Sequence, residues 1–353
     1  MPKGLDIGTM NIICAEREGE DIVFTQQRNA FMNLDSSDLT KNMLDTSHVL
    51  YIEEENGISL LGEDAFKFAT IFEKEARRPM SRGIVSPKEK EAIPIMKLIV
   101  ESVIGRPKTP REVLYLSTPA APIDVDLDVL YHKKTMEALT KALDYDARVI
   151  DEGLAVIYSE LSNYNFTGVG ISVGAGLTNV TLAYLATPLM SFSIARGGDW
   201  IDEQVSKSTG LPKEHVTATK EATSKLSKQV KLGSAEGAIT IYYEALMTYI
   251  IQNLNNRLKE IAPPKVAFPV AIAGGSSLPD GFFEMFEKKL NEAKLRIQIS
   301  KIIRARDPMH AVARGCLIAA KTQEEGKKFG TGKPQPQTQN QKKANTQKKG
   351  KKK

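Results

Sequence analysis

The sequence predicts an α/β protein made of two related halves. Three stretches carry this. "KGLDIGTMNIICAE" (Lys3 to Glu16) alternates apolar residues on both sides of Gly8-Thr9, the pattern of two strands around a tight turn. About 165 residues later, "GVGISVGAGLTNVTLAYL" repeats it around Gly174-Ala175-Gly176. Then "AIAGGSSLPDGF" runs a strand into Gly274-Gly275 ahead of a helix. A repeated hairpin at that distance points to duplicated half-domains.

The elements follow in order. Residues 1–28 read as strand, turn, strand, a Gly19-Glu20 turn and a third strand. Residues 32–77 are mixed and end in the helix-like "GEDAFKFATIFEKEA". "RRPMSRGIVSP" is a basic loop broken by Gly and Pro, and "EKEAIPIMKLIVESVIG" has helical periodicity. "REVLYLSTPA" is a strand entering a loop, "YHKKTMEALTKALDY" an amphipathic helix, "DARVID" a short strand and "EGLAVIYSELSNY" a helix. Strands over 168–195 precede a largely helical stretch over 201–262. "KVAFPVAIAGG" is a strand, "PDGFFEMFEKKLNEA" a helix with Pro279 near its first turn, and "DPMHAVARGCLIAAK" a last helix.

Composition narrows the class. With 353 residues, 41% hydrophobic and 26% charged, the chain has enough apolar matter for two soluble domains. Cys14 and Cys316 are far apart in sequence and form no metal or redox motif, which fits a reducing cytoplasm. The four histidines show no ligand spacing. No secretory signal is expected, since Asp6 interrupts the start. Residues 162–195 lack charge over a length that could span a bilayer, but Gly168, Gly170, Gly174, Gly176 and Pro188 make them strands and turns of a buried sheet instead. The net charge of +5 hides a division: ten lysines and no acid follow Glu325, so the body without them carries −5. Residues 326–353, rich in Gln, Lys, Gly and Pro, are expected to be a disordered tail.

Chemistry gathers at the glycine turns. Turns free of side chains expose backbone N–H groups, the makings of a nest for phosphate oxygens. Asp6, at the end of an apolar strand, is either a hairpin turn residue or a partner for a cation. GxGxxG is absent and the first two turns lead into strands, which excludes a Rossmann fold. "GTGK" near the C-terminus has the wrong spacing for a phosphate loop, and Pro334 follows where a helix should start.

"LDIGTMN", "DEGLAVIYSEL", "SVGAGLTN", "AIAGGSSLPDGF" and "DPMHAVARGCLIAA" together resemble the two phosphate motifs, two connecting helices and adenosine motif of the actin/Hsp70/sugar-kinase ATPase superfamily, in that family's order. "RRPMSRGIVS" and "ARGGDWIDEQV" make the chain most similar to bacterial actins of the MreB and magnetosome-filament (MamK) type. The resemblance implies domain I over 1–155, with 308–325 returning to it and 32–77 inserted. It implies domain II over 156–307, with 200–265 inserted. ATP and Mg²⁺ would lie between them.

On the same resemblance, Asp6 holds the magnesium through water, Glu152 orients the attacking water and Thr178 lies near that water. Gly8, Thr9, Met10, Asn11, Gly174, Ala175, Gly176 and Leu177 form the phosphate cradle, with Gly198 and Asp199 beside it. Gly274, Gly275, Ser276 and Ser277 border the nucleoside. Glu221, with Lys225 or Lys228, is drawn from a helix that aligns in more than one way. Two positions depart from the pattern. Ser172 replaces the aspartate that opens the second phosphate motif, and Gly153 replaces the proline after the glutamate. Both leave ATP binding in place and put the hydrolysis rate in question.

The expected activity is that of a filament-forming cytoskeletal ATPase whose partner is itself. A non-polymerising Hsp70-like or reactivase ATPase, a kinase on the same fold and a nucleotide-binding protein without turnover remain open. The Lys-rich tail lacks Arg and interleaved aromatics, so it is expected to meet polyanions or acidic protein faces non-specifically.

Overall fold

The computed structural model describes residues 1–330 except 48, 55–56, 73, 87, 90, 223–224 and 227–232. The tail expected over 326–353 therefore lies outside the described residues from 331 onward, and Lys228 lies outside them too.

The first half begins with a meander of β1 (Lys3–Ile7), β2 (Asn11–Glu18) and β3 (Asp21–Arg28). A small unit follows: β4 (Phe31–Leu34), α1 (Asp38–Ser47), β5 (Tyr51–Glu54), β6 (Gly57–Leu61) and α2 (Glu63–Ile71). The basic Gly/Pro stretch, expected as a loop, forms a short hairpin of β7 (Met80–Ser81) and β8 (Ile84–Val85). Then come α3 (Ala92–Ile104), β9 (Val113–Thr118), α4 (Val129–Ala142), β10 (Asp146–Asp151) and α5 (Glu152–Glu160).

The second half repeats the plan. Its meander is β11 (Gly168–Val173), β12 (Thr178–Tyr184) and β13 (Thr187–Ile194). The charge-free stretch is thus a sheet, and among the described residues no helix is long and apolar enough to cross a membrane. Next are α6 (Gly198–Thr209), α7 (Lys213–Ala222), α8 (Ala235–Arg257), β14 (Ala267–Ala273), α9 (Phe282–Glu292), β15 (Gln298–Arg304) and α10 (Ala311–Gly330). β15 is absent from the sequence reading: as the outer parallel strand it buries only Ile302, so "QISKIIR" shows no clean alternation.

The duplication is explicit in the sheets. One runs β3-β2-β1-β9-β10 and the other β13-β12-β11-β14-β15: an antiparallel meander extended by two parallel strands. The first half packs its core from Leu5, Ile7, Ile95, Met96, Ile99, Leu114 and Leu116. The second packs Val169, Ile171, Val180, Phe192, Tyr243 and Phe282 into its own.

Between the halves, α5 and α10 cross at near backbone contact. A Cβ on Gly315 would lie 1.8 Å from the Ala155 carbonyl oxygen, and one on Gly170 would lie 2.1 Å from that of Gly153. Gly153 itself has no room: its Cβ would sit 2.7 Å from the Thr181 backbone nitrogen. That is a packing reason for glycine where the resembling family has proline.

Candidate functional site

Two four-residue turns face a cleft of ≈ 890 Å³ between the halves, and they are closed alike. The Gly8 N–H donates to the Asn11 carbonyl (3.0 Å) and the Gly174 N–H to the Leu177 carbonyl (2.9 Å). A Cβ at Gly8 or Gly174 would come within 2.9 or 3.0 Å of the same carbonyl oxygen, which explains glycine at both. All eight turn residues, Gly8 to Asn11 and Gly174 to Leu177, line the cleft.

Residues unnoticed in the sequence brace the turns. Asn29 donates its side-chain amide to the Gly8 carbonyl (2.9 Å) and its backbone N–H to Met10 (2.9 Å). The β7–β8 hairpin wedges between the turns: the Gly83 N–H donates to Thr9 Oγ1 (3.0 Å), and a Cβ on Gly176 would meet both groups within 2.6 Å. Arg78, just before the hairpin, pairs with Asp199 (3.0 Å) at the start of α6.

Asp6 and Glu152 meet at the floor. Asp6, next to the last residue of β1, accepts from Ser117 Oγ (2.7 Å). Glu152 opens α5 and accepts from Ser172 Oγ (3.3 Å). Burial pushes both carboxyls above their ordinary range, and the Asp6 charge raises Glu152 further. Ser117 holds Asp6 down in part, and Ser172 and the nearby Asn179 amide do so for Glu152. The charge of His310 also holds Asp6 down, but two buried acids side by side are still a donor set a cation would relieve. Among the described residues no group of three or more acidic, His or Cys side chains gathers. The pair therefore suits an ion that keeps its waters and takes further oxygens from a phosphate, the habit of Mg²⁺.

Ser172 occupies the place in the second half that Asp6 has in the first, two residues before its turn. Its hydroxyl serves Glu152, so Ser172→Asp would exchange a donor for a third buried charge. The variant should have a lower melting temperature than wild type without Mg²⁺ and gain more from adding Mg²⁺ and ATP, in a thermal-shift series. Equal Mg²⁺-dependent shifts in the two proteins would argue against a cation beside Ser172.

The Gly274–Gly275 end of the cleft departs more from expectation. Gly274 (φ 96°) and Gly275 line the cleft, and a Cβ on Gly274 would fall 2.4 Å from the Val173 carbonyl oxygen. Ser276 lines it as well, donating to the Gly174 carbonyl (2.9 Å). Ser277 is buried and bonds back to Gly274 (2.7 Å), bracing the loop from within. The loop continues as a short 3₁₀ turn, and α9 starts only at Phe282, so no long helix opens at Ser276.

Three of the expected site residues lie away from the cleft lining. Thr178 is fully buried in β12, donates to the Arg196 carbonyl (2.8 Å) and does not line the cleft. Asp199 also stands off the cleft lining, holding Arg78 and donating its N–H to the Ala175 carbonyl (2.9 Å). Lys225 is exposed and bridges Asp280 through its backbone. Among the described residues, Lys220, next to Glu221, lines the cleft. Its ammonium reaches the Gly198 carbonyl and Asp202 Oδ2, both at 2.8 Å.

At the mouth, Arg28 of β3 forks onto both Glu221 oxygens (3.4 Å each) and also holds Glu63 (3.2 Å), tying the two halves together. These groups are partly exposed, so the tie is weak. Arg28→Ala should speed release of a fluorescent nucleotide about two- to five-fold, with the exchange R28E/E221R restoring it. Unchanged release in stopped flow would show that the fork does not span the exit path.

Two duplicated sheets, two connecting helices that cross between them and a cleft lined by paired glycine turns define the actin-like fold. The match to solved structures agrees. The "MamK double helical filament" aligns over 91% of this chain and 98% of its own at 18% identity and TM-score 0.68. MreB 5 of Spiroplasma citri bound to AMPPNP aligns over 93% and 98% at 16% identity and TM-score 0.67. The family model of volactin matches residues 1–320. The chain belongs to the volactin family. No curated protein matches its sequence.

Proposed function

We propose that this protein binds ATP with Mg²⁺ in the cleft, hydrolyses it and assembles into filaments with copies of itself. The observation that carries the nucleotide reading is the facing pair of glycine turns above two buried carboxylates. Backbone N–H groups there suit phosphate oxygens, and Asp6 and Glu152 suit a hydrated cation and a water beside them. When bound, Mg²⁺ would supply charge neutralisation for the phosphates. Asp6 would hold its water shell, and Glu152 would orient the attacking water.

Assembly is supported by fold likeness to a protein described as a double helical filament. The test is electron microscopy and sedimentation of the purified chain with Mg²⁺ and ATP, ADP or no nucleotide. Nucleotide-dependent filaments are expected. ATP turnover with no polymer under any condition would move the protein to the non-polymerising reading. The Lys-rich C-terminal segment is proposed as a non-specific arm for polyanions or acidic neighbours, with contacts that weaken in salt.

A further inference from the structure

A second groove, of ≈ 420 Å³, lies on the second half and shares no residue with the cleft. Arg196, Ile241, Glu244, Thr248, Tyr249 and Lys289 border it. Arg196 stands between β13 and α6. Its guanidinium carbon lies 3.6 Å from the Tyr249 ring centroid and 4.9 Å from that of Trp200. Both rings are themselves held. The Tyr249 hydroxyl donates to Asp124 Oδ2 (3.3 Å), and Trp200 meets Tyr242 edge-on at 5.8 Å. Stacking occupies the faces of a guanidinium and leaves its edge of N–H donors free. Among the described residues no hydrogen bond or ion pair takes that edge.

An arginine packed between aromatic rings with its fork unused is an anion receptor that loses little freedom on binding. Lys289 adds a second positive charge, partly offset by Glu244 at 3.9 Å. Ile241, 46% exposed, adds apolar surface. The groove therefore suits a carboxylate next to an apolar side chain.

The chain itself carries that combination. Residues 32–77 hold ten acids against four bases, a net −6, whereas the body as a whole carries −5. At the end of α2, Ile71 and Phe72 are 69% and 38% exposed, and exposed Glu75 follows. Exposed Asp35 lies beside them, 3.6 Å from Lys74. None of the four lines the cleft. Among the described residues no hydrogen bond or ion pair joins them to the groove within one chain, so the contact needs a second copy.

We propose that the groove receives the small inserted unit of a second copy, with Glu75 and Asp35 meeting Arg196 and Lys289, and Ile71 and Phe72 covering Ile241. This contact rests on the self-assembly reading and gives it a place. It joins two different surfaces, so every added copy leaves one of each free and the contact can repeat along an open polymer.

The test is pelleting and analytical ultracentrifugation of the full chain, with zero-length carbodiimide cross-linking of mixed light and heavy-nitrogen copies. Arg196→Glu should raise the critical concentration for assembly about ten-fold, and so should Asp35→Lys combined with Glu75→Lys. The second variant alters only exposed side chains, so it carries the test if Arg196→Glu does not fold. Joining both sets in one chain restores opposite charges across the contact and should recover most of the loss. Heavy–light cross-links should run from Lys289 to Glu75 or Asp35. A wild-type critical concentration in the Asp35→Lys, Glu75→Lys chain, no recovery in the folded combination, or Lys289 linked only to another segment of the second copy would overturn the proposal and leave self-assembly in place. A wild-type chain that stays monomeric with ATP, with ADP and without nucleotide would overturn the self-assembly reading itself.

Discussion

Replacing Glu152 by Gln is expected to slow ATP-dependent phosphate release about 10²- to 10⁴-fold, the usual share of a positioned acid or base, with ATP affinity close to wild type. Glu152 stands at the first residue of α5, behind the cradle rather than in it, and touches Ser172 instead of a turn N–H. On the proposed reading its contribution would fall on a water in the transition state more than on the nucleotide, which separates rate from affinity. If the chain polymerises, its filaments should persist longer in the variant. Phosphate release at the wild-type rate would remove Glu152 from the chemistry.

The same substitution carries a stability signature of opposite sign. Burial and Asp6 raise the Glu152 carboxyl in the folded state. A raised acid binds its proton more tightly folded than unfolded, so stability falls as pH climbs from the ordinary carboxylate range, about 4, through the raised folded value. Gln does not titrate. Unliganded Glu152→Gln should therefore melt higher than wild type at alkaline pH, and the difference should close toward acid. A gap that stays constant with pH would contradict the buried-pair reading.

The second large effect is expected from Asp6→Asn. The side chain keeps its shape and its place beside Ser117, but the charge that faces Glu152 is gone. Titration should show ATP affinity in Mg²⁺ falling about 10- to 100-fold, toward the value measured in a chelator, so that the Mg²⁺-dependent part of binding disappears. The Glu152 carboxyl should titrate closer to its ordinary range once the neighbouring charge is removed. A variant that binds ATP as wild type does, with the same dependence on Mg²⁺, would place the cation elsewhere.

Much of this was legible from residue order alone. Gly8 and Gly174 announce themselves because a hairpin closed by its own carbonyl leaves no room for a Cβ, a local constraint that local sequence records. Asp6 stands out because an acid at the end of an apolar strand needs a reason; Glu152 follows only from the resemblance of "DEGLAVIYSEL" to a connecting helix. The duplicated meander was visible as two copies of one pattern.

What escaped was set by contacts across the fold. Thr178 follows its turn as the pattern asks, but the pairing of β12 with β11 and β13 aims its hydroxyl at Arg196 instead of the cleft. Lys220, Lys225 and Lys228 sit in one ambiguous stretch, and only the docking of α7 against the buried Asp202 brings Lys220 to the wall. Asn29 and Arg28 brace the site from elements with no motif of their own, and Gly83 does so from a stretch read in the sequence only as a loop. The sequence by itself determined the turns, Asp6 and the doubling of the sheet, because each is written in neighbouring residues. The tertiary structure alone decided which polar groups face the cleft, because register and helix docking choose a face and periodicity cannot.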